Sequence, residues 1–107
     1  MEADERFKNA VGLAMKAGKC ISGDFAVEKA AKGGKVRLVL LDETASAATQ
    51  ERYERICARS AVPLLRIAAL ARAIGKPSRM IAAVTDENMT KMILLAAGSQ
   101  DKNGGNA

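Results

Sequence analysis

The feature that most constrains the fold is a short, almost unbroken apolar run near the middle of the chain. In the segment KVRLVLLDE, positions 36 and 38–41 are all aliphatic. A strand with one face in water alternates apolar and polar residues, whereas a run without alternation is typical of a strand covered on both faces. The segment therefore predicts a buried strand over residues 36–41, with other elements packed on each side of it.

The segments around this strand alternate between helical and extended patterns. Apolar residues at helical spacing predict a first helix over residues 4–17, and glycines bracket a second helix from Asp24 to the pair at 33–34. The other predicted elements are extended pieces at 20–22, 62–67 and 80–86 and helices at 44–61, 68–75 and 87–97. This alternation favours one domain with a mostly parallel sheet between helices.

The predicted boundaries follow from the capping residues. Asp24 is expected to cap the second helix, and either Thr85 or Asp86 is expected to cap the last one. Gly98 is expected to end the last helix. The remaining stretch SQDKNGGNA, residues 99–107, offers little to bury. It is predicted to be a flexible C-terminal tail after a single domain of residues 1–98.

The charge distribution points to an anionic partner. The chain has 17 basic and 12 acidic residues, for a net charge of +5. Six basic residues and no acid lie between positions 55 and 79, and a second lysine-rich region surrounds residues 16–37. A single charge run usually forms a solvated face, but two basic regions in one small domain favour nucleic acid.

Several other classes of protein are disfavoured. The sequence has no histidine and two cysteines, so no metal site is expected, and its glycines form no nucleotide-binding motif. The carboxylate pairs at 42–43 and 86–87 fall at strand ends, where capping explains them. Cys20 and Cys57 lie in apolar settings, and the charged N-terminus has no signal-peptide pattern. These features predict a cytoplasmic protein that is not an enzyme, with no cofactor and no membrane partner.

Three stretches together resemble a known family. LAMKAGKCISGDFAVEKAAKGGKVRLVLLDE, then VPLL, then LARAIGKPSRMIAAV are similar to the ribosomal protein L7Ae/L30e superfamily, and most of all to its bacterial YlxQ-like branch. The similarity covers roughly residues 7–95. It implies a three-layer α/β/α sandwich with a four-stranded mixed sheet. It also implies binding of kink-turn RNA, with the N-terminus of the second helix approaching the RNA.

The resemblance carries specific residues onto this sequence. Gly23 matches the family's glycine, Asp24 the polar residue after it, and Lys29 the lysine further along the helix. The family's base-reading pair, of Asn-Glu or Lys-Gln type, falls on Phe25 and Ala26. This departure removes the side chains that recognise tandem sheared G·A pairs. It predicts weaker binding to a standard kink-turn than to the natural RNA target.

Elementary chemistry agrees in part with this assignment. A helix N-terminus presents unpaired N–H groups and the positive end of a dipole, which together favour phosphate. Gly23 allows a close approach of backbone, since it has no side chain. The Asp24 carboxylate is expected to compete with phosphate for the same N–H groups.

Two apolar residues each admit two interpretations. Phe25 either packs inward at the start of the second helix or stands exposed and stacks on an unpaired base. The loop GKPSRM is stiffened by Pro77, and its Lys76 and Arg79 can reach phosphates. The family resemblance implies that Met80, at the end of this loop, contacts a base turned out of the RNA. The alternative is that Met80 simply begins the buried strand.

These inferences together predict an RNA-binding protein of the ribosomal kink-turn-binding type, which acts on ribosomal or another structured RNA. The alternative is an adaptor that binds the ribosome or translation factors and has lost or altered its RNA specificity. The five basic residues of the predicted site are expected to converge on one face. The predicted RNA-binding residues are Lys19, Ser22, Gly23, Asp24, Phe25, Lys29, Lys32, Lys76, Ser78, Arg79 and Met80.

Overall fold

A computed structural model describes residues 2–100, in which helices and strands alternate as the sequence predicts. In chain order the elements are α1 (Glu2–Lys16), β1 (Cys20–Ser22), α2 (Asp24–Lys32), β2 (Leu38–Asp42), α3 (Ala47–Ser60), β3 (Leu64–Ile67), α4 (Leu70–Ile74), β4 (Ile81–Val84) and α5 (Glu87–Gln100).

The four strands of the described residues form one mixed sheet in the order β1-β4-β2-β3. β2 and β3 are parallel, whereas β4 is antiparallel to both of its neighbours, β1 and β2. The mixed sheet is therefore confirmed, and the mostly parallel alternative is wrong. The reason lies in the connection before β4. After β3 and the five-residue α4, the chain re-enters the sheet at the end where β3 left it, so β4 must run in the opposite direction.

The sheet separates two hydrophobic cores, which gives the predicted three layers. β2 is buried along its whole length, as the unbroken apolar run predicts. Leu38 and Leu40 face α1, α4 and α5, whereas Val39 and Leu41 face α2 and α3. Successive side chains point to opposite faces of a strand, so a strand covered on both sides needs an apolar residue at every position.

The helix ends agree with the sequence in part. The Asp86 carboxylate accepts a hydrogen bond from the Met89 N–H (2.9 Å), so Asp86 caps α5 as one of the two predicted residues. The predicted Asp24 cap is wrong, because Gly23 occupies the N-cap position and Asp24 is the first residue of α2.

The predicted end of the last helix is also wrong, because α5 continues past Gly98 to Gln100. A lone glycine costs a helix only about 1 kcal/mol, so it does not by itself end one. Residues 101–107 of the predicted tail lie outside the described residues.

Asp42, at the end of β2, joins the loops at one end of the sheet. Its carboxylate accepts hydrogen bonds from the backbone N–H of Leu70 (2.9 Å) and from the N–H (2.9 Å) and hydroxyl (2.6 Å) of Thr44. Burial opposes ionisation of Asp42, but these hydrogen bonds outweigh it and lower its pKa. Asp42 thus holds the start of α4 against the loop after β2.

No helix among residues 2–100 combines the length and apolarity needed to cross a membrane.

Candidate nucleic-acid interface

The N-terminus of α2 lies at the end of the sheet where β4 begins. The Gly23 N–H donates to the carbonyl of Ile81 (3.0 Å), which ties the start of α2 to the start of β4. Gly23 has φ 100° and ψ 143°, a conformation that residues with a side chain rarely adopt. Within residues 2–100, no side chain caps α2. The first N–H groups of this helix are therefore available to a ligand.

Arg79 lies directly over this helix start. A Cβ atom added to Gly23 would be 3.1 Å from the Arg79 Nη1, so the guanidinium occupies the space that glycine leaves open. Arg79 belongs to an exposed loop, residues 75–80, in which Ser78 adopts a left-handed conformation (φ 65°). Lys76 is in the same loop. Arg79 brings the loop against the start of α2, and we call residues 75–80 together with the first turns of α2 the α2 platform.

An exposed aromatic ring completes the α2 platform. The Phe25 side chain is 81% exposed, so the inward-packing interpretation is wrong. The buried residues of α2 are Val27 and Ala31, and a residue two positions from Val27 points to the opposite side of the helix. Met80 is 42% exposed and precedes β4, so it does not begin the buried strand. The structure thus places the Phe25 ring in the first turn of α2, beside the uncapped N–H groups, whereas the Met80 sulfur lies 3.7 Å from the Thr44 hydroxyl in the loop after β2.

Two lysines continue the exposed side of α2. Lys29 and Lys32 follow Phe25 by four and seven residues, which puts the three side chains on one stripe of the helix. Lys29 is one turn from the aromatic ring. Lys32 is two turns away and pairs with the Glu28 carboxylate (3.3 Å). In contrast, no carboxylate of the described residues pairs with Lys29, Lys76 or Arg79.

The predicted convergence of all five basic residues needs correction. The Lys19 carbonyl accepts a hydrogen bond from the N–H of Thr85 (2.9 Å), the residue that follows β4. Arg79 instead lies just before the first residue of β4. Lys19 and Gly23 flank β1 and are about 13 Å apart along it. Because β1 and β4 are antiparallel, Arg79 lies at the Gly23 end, and Lys19 lies at the opposite end of the sheet. Lys32 is also at the far end of α2. Ser22, next to Gly23, is half-buried and stays at the platform.

The Asp24 carboxylate does not compete for the helix N–H groups as predicted. Arg52 of α3 donates two hydrogen bonds to it, Nη1 to Oδ1 (2.9 Å) and Nη2 to Oδ2 (2.5 Å). The Tyr53 hydroxyl donates to Oδ1 (2.6 Å). Hydrogen bonds from Arg52 and then from Tyr53 lower the pKa of Asp24. Sequence reasoning missed Arg52 and Tyr53, because no local pattern shows which residue 28 positions away will meet Asp24.

The fold and the α2 platform define the class of protein. The sequence model of the ribosomal protein L7Ae/L30e/S12e/Gadd45 family matches residues 5–95 of this chain. The chain therefore belongs to this family, as the sequence resemblance implies.

Individual relatives agree with the family assignment. The chain is 36% identical over 87 residues to the RNA-binding protein YlxQ of Bacillus subtilis (strain 168), an alignment that covers 78% of this chain and 87% of the relative. A solved structure of a protein of unknown function from Bacillus halodurans has 28% identity and a TM-score of 0.81, and the match covers 85% of this chain and 95% of that one. The 15.5kD RNA binding protein of Giardia lamblia shares the fold, with a TM-score of 0.73 at 20% identity and coverage of 92% and 88%.

Proposed function

We propose that this protein binds structured RNA through the α2 platform. The observation that carries the proposal is the uncapped N-terminus of α2, which lies beside the Arg79 guanidinium and the exposed Phe25 ring. The N–H groups and Arg79 offer contacts to phosphate, and the ring offers a stacking surface for an unpaired base. The relative YlxQ, which is named an RNA-binding protein, supports the same function.

The proposed specificity differs from that of standard kink-turn binders. Phe25 and Ala26, both exposed, stand where the family carries its base-reading pair. Neither side chain can donate or accept a hydrogen bond, so base-edge recognition by this pair is lost while phosphate contacts remain. We therefore expect a ribosomal or other structured RNA to bind more tightly than a standard kink-turn does.

The proposal places the protein in translation and in the cytoplasm, as a binding protein and not an enzyme. Burial raises the pKa of the Cys20 thiol to about 11 and also raises that of Cys57, so neither is a ready nucleophile at neutral pH. The two thiols belong to cores on opposite faces of the sheet. They cannot form a disulfide with each other, which is compatible with a reducing compartment.

The test is a salt titration of binding to bulk ribosomal RNA and to a standard kink-turn RNA. Three basic residues at the platform, Lys29, Lys76 and Arg79, predict a log–log slope of roughly −2 to −3. Arg79→Ala should weaken binding and make the slope shallower by about one unit. Arg59→Ala is the matched control, because Arg59 is an exposed arginine near the end of α3. Equal effects of the two substitutions would contradict the proposed interface.

One feature favours the alternative function of a protein adaptor. An open apolar groove of about 390 Å³ lies between α1 and α5, on the other side of the sheet from α2. Leu13 and Leu95 line it and are 48% and 73% exposed. If the chain binds neither RNA, and Leu95→Glu abolishes its association with ribosomes, the adaptor function is the correct one.

A further inference from the structure

A network of charged side chains runs along the flank of α2. Besides its two hydrogen bonds to Asp24, Arg52 donates from Nη1 to the Glu28 Oε1 (3.0 Å). Glu28 in turn pairs with Lys32. Two carboxylates and two cations are thus combined into a group of zero net charge. None of the phosphate contacts proposed above uses this network.

Two features fix the geometry of the network. Tyr53 is fully buried, and its hydroxyl also lies 3.1 Å from the backbone carbonyl of Asp24. The Arg52 guanidinium carbon lies 4.9 Å from the centroid of the Tyr53 ring, within cation–π range. The Asp24 carboxylate is therefore held toward α3 by two residues whose own positions are restricted.

Asp24 lies where a free carboxylate would interfere with phosphate binding. Asp24 is the first residue of α2, where a carboxylate is attracted by the helix dipole. Released from α3, it would be a negative charge beside the N–H groups and would repel a phosphate there. The geometry points to Arg52 as a positioning residue for RNA binding: it holds and neutralises Asp24, and so keeps the α2 platform open to phosphate. This inference rests on the proposed function.

The test is a double-mutant cycle of wild type, Arg52→Gln, Asp24→Asn and the double variant. Dissociation constants are measured for bulk ribosomal RNA at low and high salt, and thermal unfolding is followed in parallel. Arg52→Gln should weaken binding about three- to tenfold, the effect of one unit charge roughly 6 Å from a phosphate in a partly exposed site. Asp24→Asn should bind at least as well as wild type. The double variant should return to within about twofold of wild type.

Salt and a conservative variant give independent readouts. The defect of Arg52→Gln should shrink at high salt, because screening weakens the repulsion by Asp24. Arg52→Lys keeps the charge but loses the paired geometry, so it should bind RNA better than Arg52→Gln does. It also provides a measurement if Arg52→Gln does not fold.

Each contrary outcome has a distinct meaning. If the double variant binds as weakly as Arg52→Gln alone, Arg52 contacts RNA directly and the inference is wrong. If Arg52→Gln lowers only the melting temperature, its role is structural and the inference is again wrong. If Arg79→Ala weakens binding while the cycle shows no coupling, only the inference fails. If wild type does not bind RNA, or Arg79→Ala binds as tightly as wild type, the proposed function itself fails and the inference falls with it.

Discussion

Replacement of Phe25 by alanine should weaken RNA binding without lowering the stability of the fold, because the ring is 81% exposed. A phenylalanine side chain presents about 200 Å² of apolar surface, and a stacked base would cover about 60–80 Å² of it. At about 25 cal/mol per Å² this contact is worth about 1.5–2 kcal/mol, which agrees with about 1–3 kcal/mol per stacked base. Phe25→Ala should therefore raise the dissociation constant for ribosomal RNA about 10- to 30-fold.

The stability of the protein should not follow the loss of binding. A substitution at an exposed site changes the free energy of unfolding by about 0.5 kcal/mol or less, so the denaturation midpoint should stay near that of wild type. Leu95→Ala is the matched control, since Leu95 is a 73% exposed apolar residue on α5. Phe25→Trp should preserve binding. A Phe25→Ala variant that is destabilised but binds RNA normally would refute the stacking argument.

Three further predictions concern specificity, backbone and pH. Phe25→Asn with Ala26→Glu should tighten binding to a standard kink-turn measured by gel shift, and no gain would contradict the lost-pair argument. Gly23→Ala should lower the free energy of unfolding by about 1–3 kcal/mol because of its positive φ. Gly98→Ala, in a helix with open space around it, should instead raise it by up to about 1 kcal/mol. The lowered pKa of Asp42 stabilises the fold above its unfolded-state value near 3.8, and this stability is lost as pH falls through the folded pKa. Asp42→Asn should flatten the decline in denaturant midpoint below pH 4, and an unchanged decline would contradict this role.

The sequence predicts most elements because their signals are local. The apolar run at 36–41 has one simple explanation, and β2 is buried as expected. The sequence left the orientation of Phe25 open, although its spacing from Val27 and Ala31, the buried residues of α2, agrees with the exposed interpretation.

Other features depend on contacts between distant segments, which no local pattern reveals. The separation of Lys19 from Arg79 follows from the direction of β4, and alternation of helices and strands does not determine strand direction. The partnership of Asp24 with Arg52 requires α2 and α3 to pack in one register. Helical spacing shows which side of α3 is apolar, but not which residue of α2 it meets.

The central place of β4 has a consequence for synthesis of the chain. β1 has β4 as its neighbour in the sheet, so β1 lacks that partner until residues 81–84 have left the ribosome. The Gly23 N–H likewise waits for Ile81. Once β3 has left the ribosome, β2 and β3 are both available to pair, but the start of α2 still lacks its bond to Ile81. RNA-binding competence should therefore arise late and abruptly during translation, when β4 enters between strands made long before it.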